Sequence, residues 1–93
     1  MRIVVEEGPN RGALYELGSV SVLGRGEGCE LQILDDGISR QHARILREGQ
    51  GWVLRDLESR NGTRLNGVPI ESAGLEVGDR IALGAVRLRV LSP

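Results

Sequence analysis

The 93-residue chain holds one cysteine, one histidine, no lysine and no phenylalanine, and its only aromatic residues are Tyr15 and Trp52. With Cys29 alone, no internal disulfide can form, so a disulfide-stapled secreted scaffold is excluded and a reducing compartment fits. One Cys and one His cannot furnish the four ligands of a zinc site. Without Lys, the glycine run Gly24-x-Gly26-x-Gly28 cannot be a P-loop, and no helical pattern follows it. No metal or other cofactor is expected. Two aromatics and a formal net charge of -1 leave neither the stacking platform nor the basic groove of a nucleic-acid binder. No apolar run approaches the roughly 20 residues of a membrane span, and Met1 to Glu7 carries acids where a signal peptide would be apolar. The expectation is a cytoplasmic protein with no membrane or nucleic-acid partner, and the glycosylation-like Asn61-Gly62-Thr63 is then idle as an acceptor.

The length suits one domain, residues 1–93, with one modest core, so a binding site belongs in surface loops. Fourteen glycines interrupt the apolar segments before any helical period can persist for three turns. What remains is a series of short strands: Arg2 to Glu6, Ala13 to Leu17, Val20 to Leu23, Leu31 to Leu34, Ala43 to Arg47, Trp52 to Asp56, Thr63 to Leu65, Val68 to Ile70, Arg80 to Leu83 and Val86 to Leu91. Gly8-Pro9-Asn10-Arg11-Gly12 and Asn66-Gly67 read as hairpin turns. Pro69 has no N–H for a ladder, which places its hairpin on a sheet edge. Turn signals at such intervals predict an all-β fold, either a two-sheet antiparallel β-sandwich, the better fit, or a small barrel, which periodicity by itself does not separate.

Three loop segments combine hydrogen-bond donors with turn residues: Gly24-Arg25, Ser39-Arg40-Gln41-His42 and Ser59-Arg60-Asn61-Gly62-Thr63. All twelve cationic residues are Arg, whose planar fork suits oxyanions. A phosphate monoester near neutral pH carries about 1.5 to 2 negative charges and three acceptor oxygens, so its receptor needs several donors, guanidinium among them. Arg25, Ser39, Arg40 and Arg60 constitute such an inventory.

Gly24-Arg25, then Ser39-x-x-His42, then Asp56-Leu57-x-Ser59-x-Asn61-Gly62-Thr63-x-x-Asn66-Gly67, and finally Gly78-Asp79-x-Ile81 with Gly84, resemble the forkhead-associated (FHA) domain over nearly the whole chain. The resemblance implies a sandwich whose end loops form a shallow phosphothreonine pocket. It assigns Arg25 and Ser39 to the phosphate, with Arg40 as a further donor, and Asn61 to the backbone of the bound peptide. Gly24, Gly62 and Thr63 become structural residues at the site, and His42 bonds loops together beneath it. Arg60 stands where many members carry Thr or Ser, and it is counted with the phosphate donors. Arg64 replaces a common aromatic. Gly37 occupies a position that in some members reads a flanking residue, and it offers no side chain for doing so.

Each of these residues has a plainer explanation. Ser39 after a turn can bond its own backbone, and Arg25 can be a solvated loop charge. The joint motif outweighs both. An enzyme built on Ser39 and His42 lacks a group to orient the histidine, an oxyanion hole and a cleft. A phosphate-independent protein–protein assembly surface is the remaining alternative. The expected partner is a Thr-phosphorylated protein or peptide, the product of a Ser/Thr kinase, bound by a monomer or by a module of a larger protein.

Overall fold

The computed structural model describes residues 1–93. It contains strands and connecting loops with no helix, in the order β1 (Arg2–Glu7), β2 (Leu14–Glu16), β3 (Val20–Gly24), β4 (Leu31–Gln32), β5 (Ala43–Glu48), β6 (Gly51–Asp56), β7 (Thr63–Leu65), β8 (Val68–Ile70), β9 (Ser72–Leu75), β10 (Arg80–Leu83) and β11 (Val86–Ser92). One sheet has six strands in the order β2-β1-β11-β10-β7-β8, and the other has five in the order β4-β3-β5-β6-β9. The pairing is antiparallel except for the two-residue β3–β4 contact, which is parallel. The expected β-sandwich is therefore what the chain forms.

Strand alternation explains how the two sheets close on each other. Ile3 and Val5 on β1, Ile81 and Leu83 on β10, and Val86, Leu88 and Val90 on β11 turn one way into the core. They meet Leu23, Ala43, Ile45 and Leu54 from the second sheet. The absence of Phe leaves an aliphatic core, in which small branched side chains from facing sheets interdigitate. Arg64 is exposed on the outer side of β7, so its replacement of an aromatic leaves the core packing untouched.

Most of the predicted strands and hairpins are present. Asn66 and Gly67 both hold positive φ, at 51° and 84°, the conformation of a tight hairpin turn between β7 and β8. Pro69 lies on β8 at the edge of its sheet. Strand β9 has no counterpart in the pattern reading. Ser72-Ala73-Gly74-Leu75 lacks a β-branched or aromatic residue, and its strand state comes from pairing with Trp52 to Arg55 of β6, a contact made far along the chain. Strand β4 is shorter than expected: its parallel pairing with β3 covers only Leu31 and Gln32, and the last ladder bond runs from the Ile33 N–H to Gly24 O at 2.8 Å.

Candidate functional site

Three connections gather at one end of the sandwich: β3–β4, β4–β5 and β6–β7. The first two are stitched by backbone hydrogen bonds. Arg25 N–H donates to Ser39 O and Gly26 N–H to Arg40 O, both at 3.0 Å, while His42 N–H donates to Leu23 O at 2.9 Å. Gly24 makes this approach possible. A methyl group there would sit against the Arg40 carbonyl, 2.8 Å from its carbon and 3.0 Å from Ser39 O, both below or at the limit of real contacts. Gly24 is thus required for space.

His42 is fully buried and ties the second loop to the third. Its Nδ1 accepts the Ser39 N–H at 3.1 Å. That nitrogen is therefore unprotonated, and Nε2 carries the hydrogen that it donates to Gly62 O at 2.8 Å. The His42 carbonyl accepts the Leu57 N–H at 2.9 Å. One imidazole thus fixes the start of the Ser39 segment against the end of the β6–β7 loop. Gly62 itself has φ +80° with no atom within 4 Å of a would-be side chain, so glycine serves conformation here and not space.

The Ser39 hydroxyl accepts the Arg60 N–H at 3.0 Å. With its acceptor side engaged, its own O–H is left to donate outward. Around it, Arg25, Arg40, Arg60, Asp36 and Ile38 complete the lining of a concavity of about 230 Å³. The four sequence-derived donors therefore share one small basin. Arg25 is held there by its Nε, which donates to Ile38 O at 3.2 Å. Arg60 makes only a long contact, NH2 to Asp36 O at 3.5 Å. A larger open depression of about 650 Å³, with Gln32 and the exposed Leu34 on its wall, adjoins across Arg25 and Arg40.

Asn61 lies outside the basin. Its Nδ2 donates to Gly37 O at 2.7 Å, which closes the β4–β5 loop onto the β6–β7 loop and leaves the Oδ1 acceptor free. Gly37 is confined as well, since a side chain there would begin 3.1 Å from Asp35 Oδ1.

Two acids were not singled out from the sequence as site residues. Asp36 stands on the basin wall among the arginines. Asp56 lies beneath the third loop, where its Oδ1 accepts the hydroxyls of Ser59 and Thr63, each at 2.6 Å, and its Oδ2 accepts the Ser59 N–H at 3.1 Å. Burial pushes the Asp56 carboxyl up, but these hydrogen bonds, with help from His42, outweigh it and hold the group below the usual carboxylate range. The motif Asp56-x-x-Ser59-x-x-x-Thr63 carried that signal, as one acceptor with two hydroxyl donors spaced to fold back on it. Cys29 is half-buried. Its Sγ donates to Arg40 O at 3.1 Å, and burial pushes its thiol up, away from reactive thiolate.

The architecture is that of a loop-presenting β-sandwich, and comparison with known proteins names the class. The FHA domain family matches residues 21–84, and the chain belongs to that family. Among curated relatives, the glycogen accumulation regulator GarA of Mycolicibacterium smegmatis is 35% identical over 91 residues, spanning 97% of this chain and 58% of its own length. The FHA domain of FhaA, solved in complex with the intracellular domain of Rv3910, superposes with a TM-score of 0.85 at 34% identity, over 95% of this chain and 96% of that one. A further FHA structure comes from a study of phosphothreonine-dependent FHA interactions. It gives a TM-score of 0.84 at 32% identity, with 99% and 96% coverage. The chain spans 58% of GarA and 14% of full-length FhaA from Mycobacterium tuberculosis.

Proposed function

We propose that the chain is a phosphothreonine-binding module that recognises a phosphorylated partner without catalysis. The observation that carries this reading is the shared basin of Arg25, Ser39, Arg40 and Arg60, with the Ser39 hydroxyl aimed by the Arg60 N–H. A phosphate set there meets guanidinium donors on several sides and a neutral O–H donor, as a tetrahedral dianion requires. Asn61, outside the basin on the β6–β7 loop, keeps its Oδ1 for the N–H of an extended peptide. Thr63 and His42 support the loops from below, and both ring nitrogens of His42 are engaged, so it is not a free base.

The relatives agree with such a role. GarA is named a regulator, and related FHA domains have been studied as phosphothreonine-dependent partners. A reader of this kind acts where Ser/Thr kinases act, and with the lone thiol this favours a cytoplasmic module made of residues 1–93.

Calorimetry on three peptides that differ only at one residue tests the reading. The phosphothreonine peptide should bind, and the unphosphorylated peptide should not. The phosphoserine peptide should bind several-fold more weakly, since a methyl left out of a shaped recess costs about 1 to 3 kcal/mol. Arg25→Ala should cost about 2 to 5 kcal/mol of binding with the fold intact. Equal affinity with and without phosphate would favour the phosphate-independent assembly surface instead.

A further inference from the structure

The alternation that buries Ile81, Leu83, Val86 and Leu88 sends Arg64 of β7, Arg80 and Ala82 of β10, and Arg87 and Arg89 of β11 to the outer face of the six-stranded sheet. In the ladder, Ala82 stands opposite Arg64 on one side and opposite Arg87 on the other. Arg64, Ala82 and Arg87 thus form one row across three adjacent strands. Strands lie about 4.8 Å apart, so the two arginine backbones are about 10 Å apart with a single methyl group between them. A concavity of about 780 Å³ covers this row, and its rim includes Asn61 and Gly62 of the third site loop.

The charges on this face are unevenly compensated. Glu6 takes both Arg80, at 3.2 Å, and Arg89, at 3.7 Å. Arg87 reaches Glu7 only at 3.7 Å and is 63% exposed. Arg64 forms no ion pair and no side-chain hydrogen bond. Glu7 is the only acid lining a concavity that holds Arg64, Arg80 and Arg87. In a chain of net charge -1, this is a local cationic trough, and it begins where the peptide contact at Asn61 ends.

We propose that this trough extends the peptide site and takes an acidic stretch of the same phosphorylated partner, its Asp or Glu carboxylates held between Arg64 and Arg87 above Ala82. The inference rests on the phosphothreonine reading and adds a partner chemistry to it. Asn61 precedes Arg64 by three residues, a chain length that spans at most about 10 Å. The acids therefore belong about three to six residues from the phosphothreonine, on one flank.

The test uses the full chain and four peptides with a common centre: a phosphopeptide with neutral flanks, two with glutamates three to six residues before or after the phosphothreonine, and a glutamate-rich peptide without phosphate. Each exposed ion pair strengthens binding by about 1.5- to 5-fold. One of the two acidic phosphopeptides should accordingly bind about 3- to 20-fold tighter than the neutral one at low salt, with most of the gain lost at 0.5 M salt. The variant Arg64→Gln/Arg87→Gln should lose that gain while binding the neutral phosphopeptide as the parent does. Neither acidic peptide binding tighter than the neutral one, or a gain that survives in the double variant, would overturn the inference and leave the phosphothreonine reading standing. A neutral phosphopeptide that fails to bind the parent chain would overturn both.

Discussion

Two glycines at the site are needed for opposite reasons, and the difference can be measured. Gly24 has an ordinary φ but no room, since its neighbours are the Ser39 and Arg40 carbonyls. Gly62 has room but a φ of +80°, which costs an L-residue about 1 to 2 kcal/mol. Asn tolerates positive φ better than other non-glycine residues. Gly62→Asn should therefore recover part of the stability that Gly62→Ala loses. Gly24→Asn should fare no better than Gly24→Ala, because either must push apart the Arg25–Ser39 and Gly26–Arg40 backbone bonds. Thermal melts of the four variants decide it, and a Gly24→Ala protein with parental stability and phosphopeptide affinity would remove the close-approach argument.

At the scale of an element, the β6–β7 loop is held from below by one carboxylate. Asp56 accepts two hydroxyls and a backbone N–H, and hydrogen bonds to a charged group are worth about 1.5 to 3 kcal/mol each against about 1 for neutral pairs. Because the folded-state carboxyl is held below its usual range, its contribution is present above the unfolded value near 4 and is lost as pH falls through the lower, folded value. Asp56→Asn should cost about 1 to 3 kcal/mol at pH 7. The gap between variant and parent should narrow as the pH is lowered from 5 toward 2. Urea denaturation across that range measures it, and a constant gap would mean that the charge on Asp56 is not what holds the loop.

For the molecule as a whole, the proposed phosphothreonine reading makes recognition depend on the charge of the ligand. Arginines stay protonated throughout the accessible range, and the phosphate gains its second proton near pH 6. If the dianion is the bound form, affinity for a phosphothreonine peptide is full above that value and lost below it, by about tenfold between pH 7.5 and pH 5. Anisotropy titrations at several pH values follow this directly. A flat profile would show that the phosphate is not the main anchor.

Much of this architecture was legible in the chain itself. Short β-runs separated by Gly, Pro and Asn turns dictate an all-β fold, whose alternating strands bury their apolar faces either against a second sheet or by closing into a barrel, and the family resemblance pointed to the sandwich. The family resemblance carried by Gly24-Arg25, Ser39-x-x-His42 and Asn61-Gly62-Thr63 implied which loops meet. Strand β9 was not legible, since Ser72-Ala73-Gly74-Leu75 has no intrinsic preference for the extended state and takes it from β6. Asp36 on the basin wall, the aim of the Ser39 hydroxyl and the Arg64–Ala82–Arg87 row were hidden for the same reason. Each depends on which residues from distant segments stand opposite one another. Local composition determines strand and turn through backbone sterics and burial, whereas the register between strands and the closure of loops are settled only when the two sheets pack.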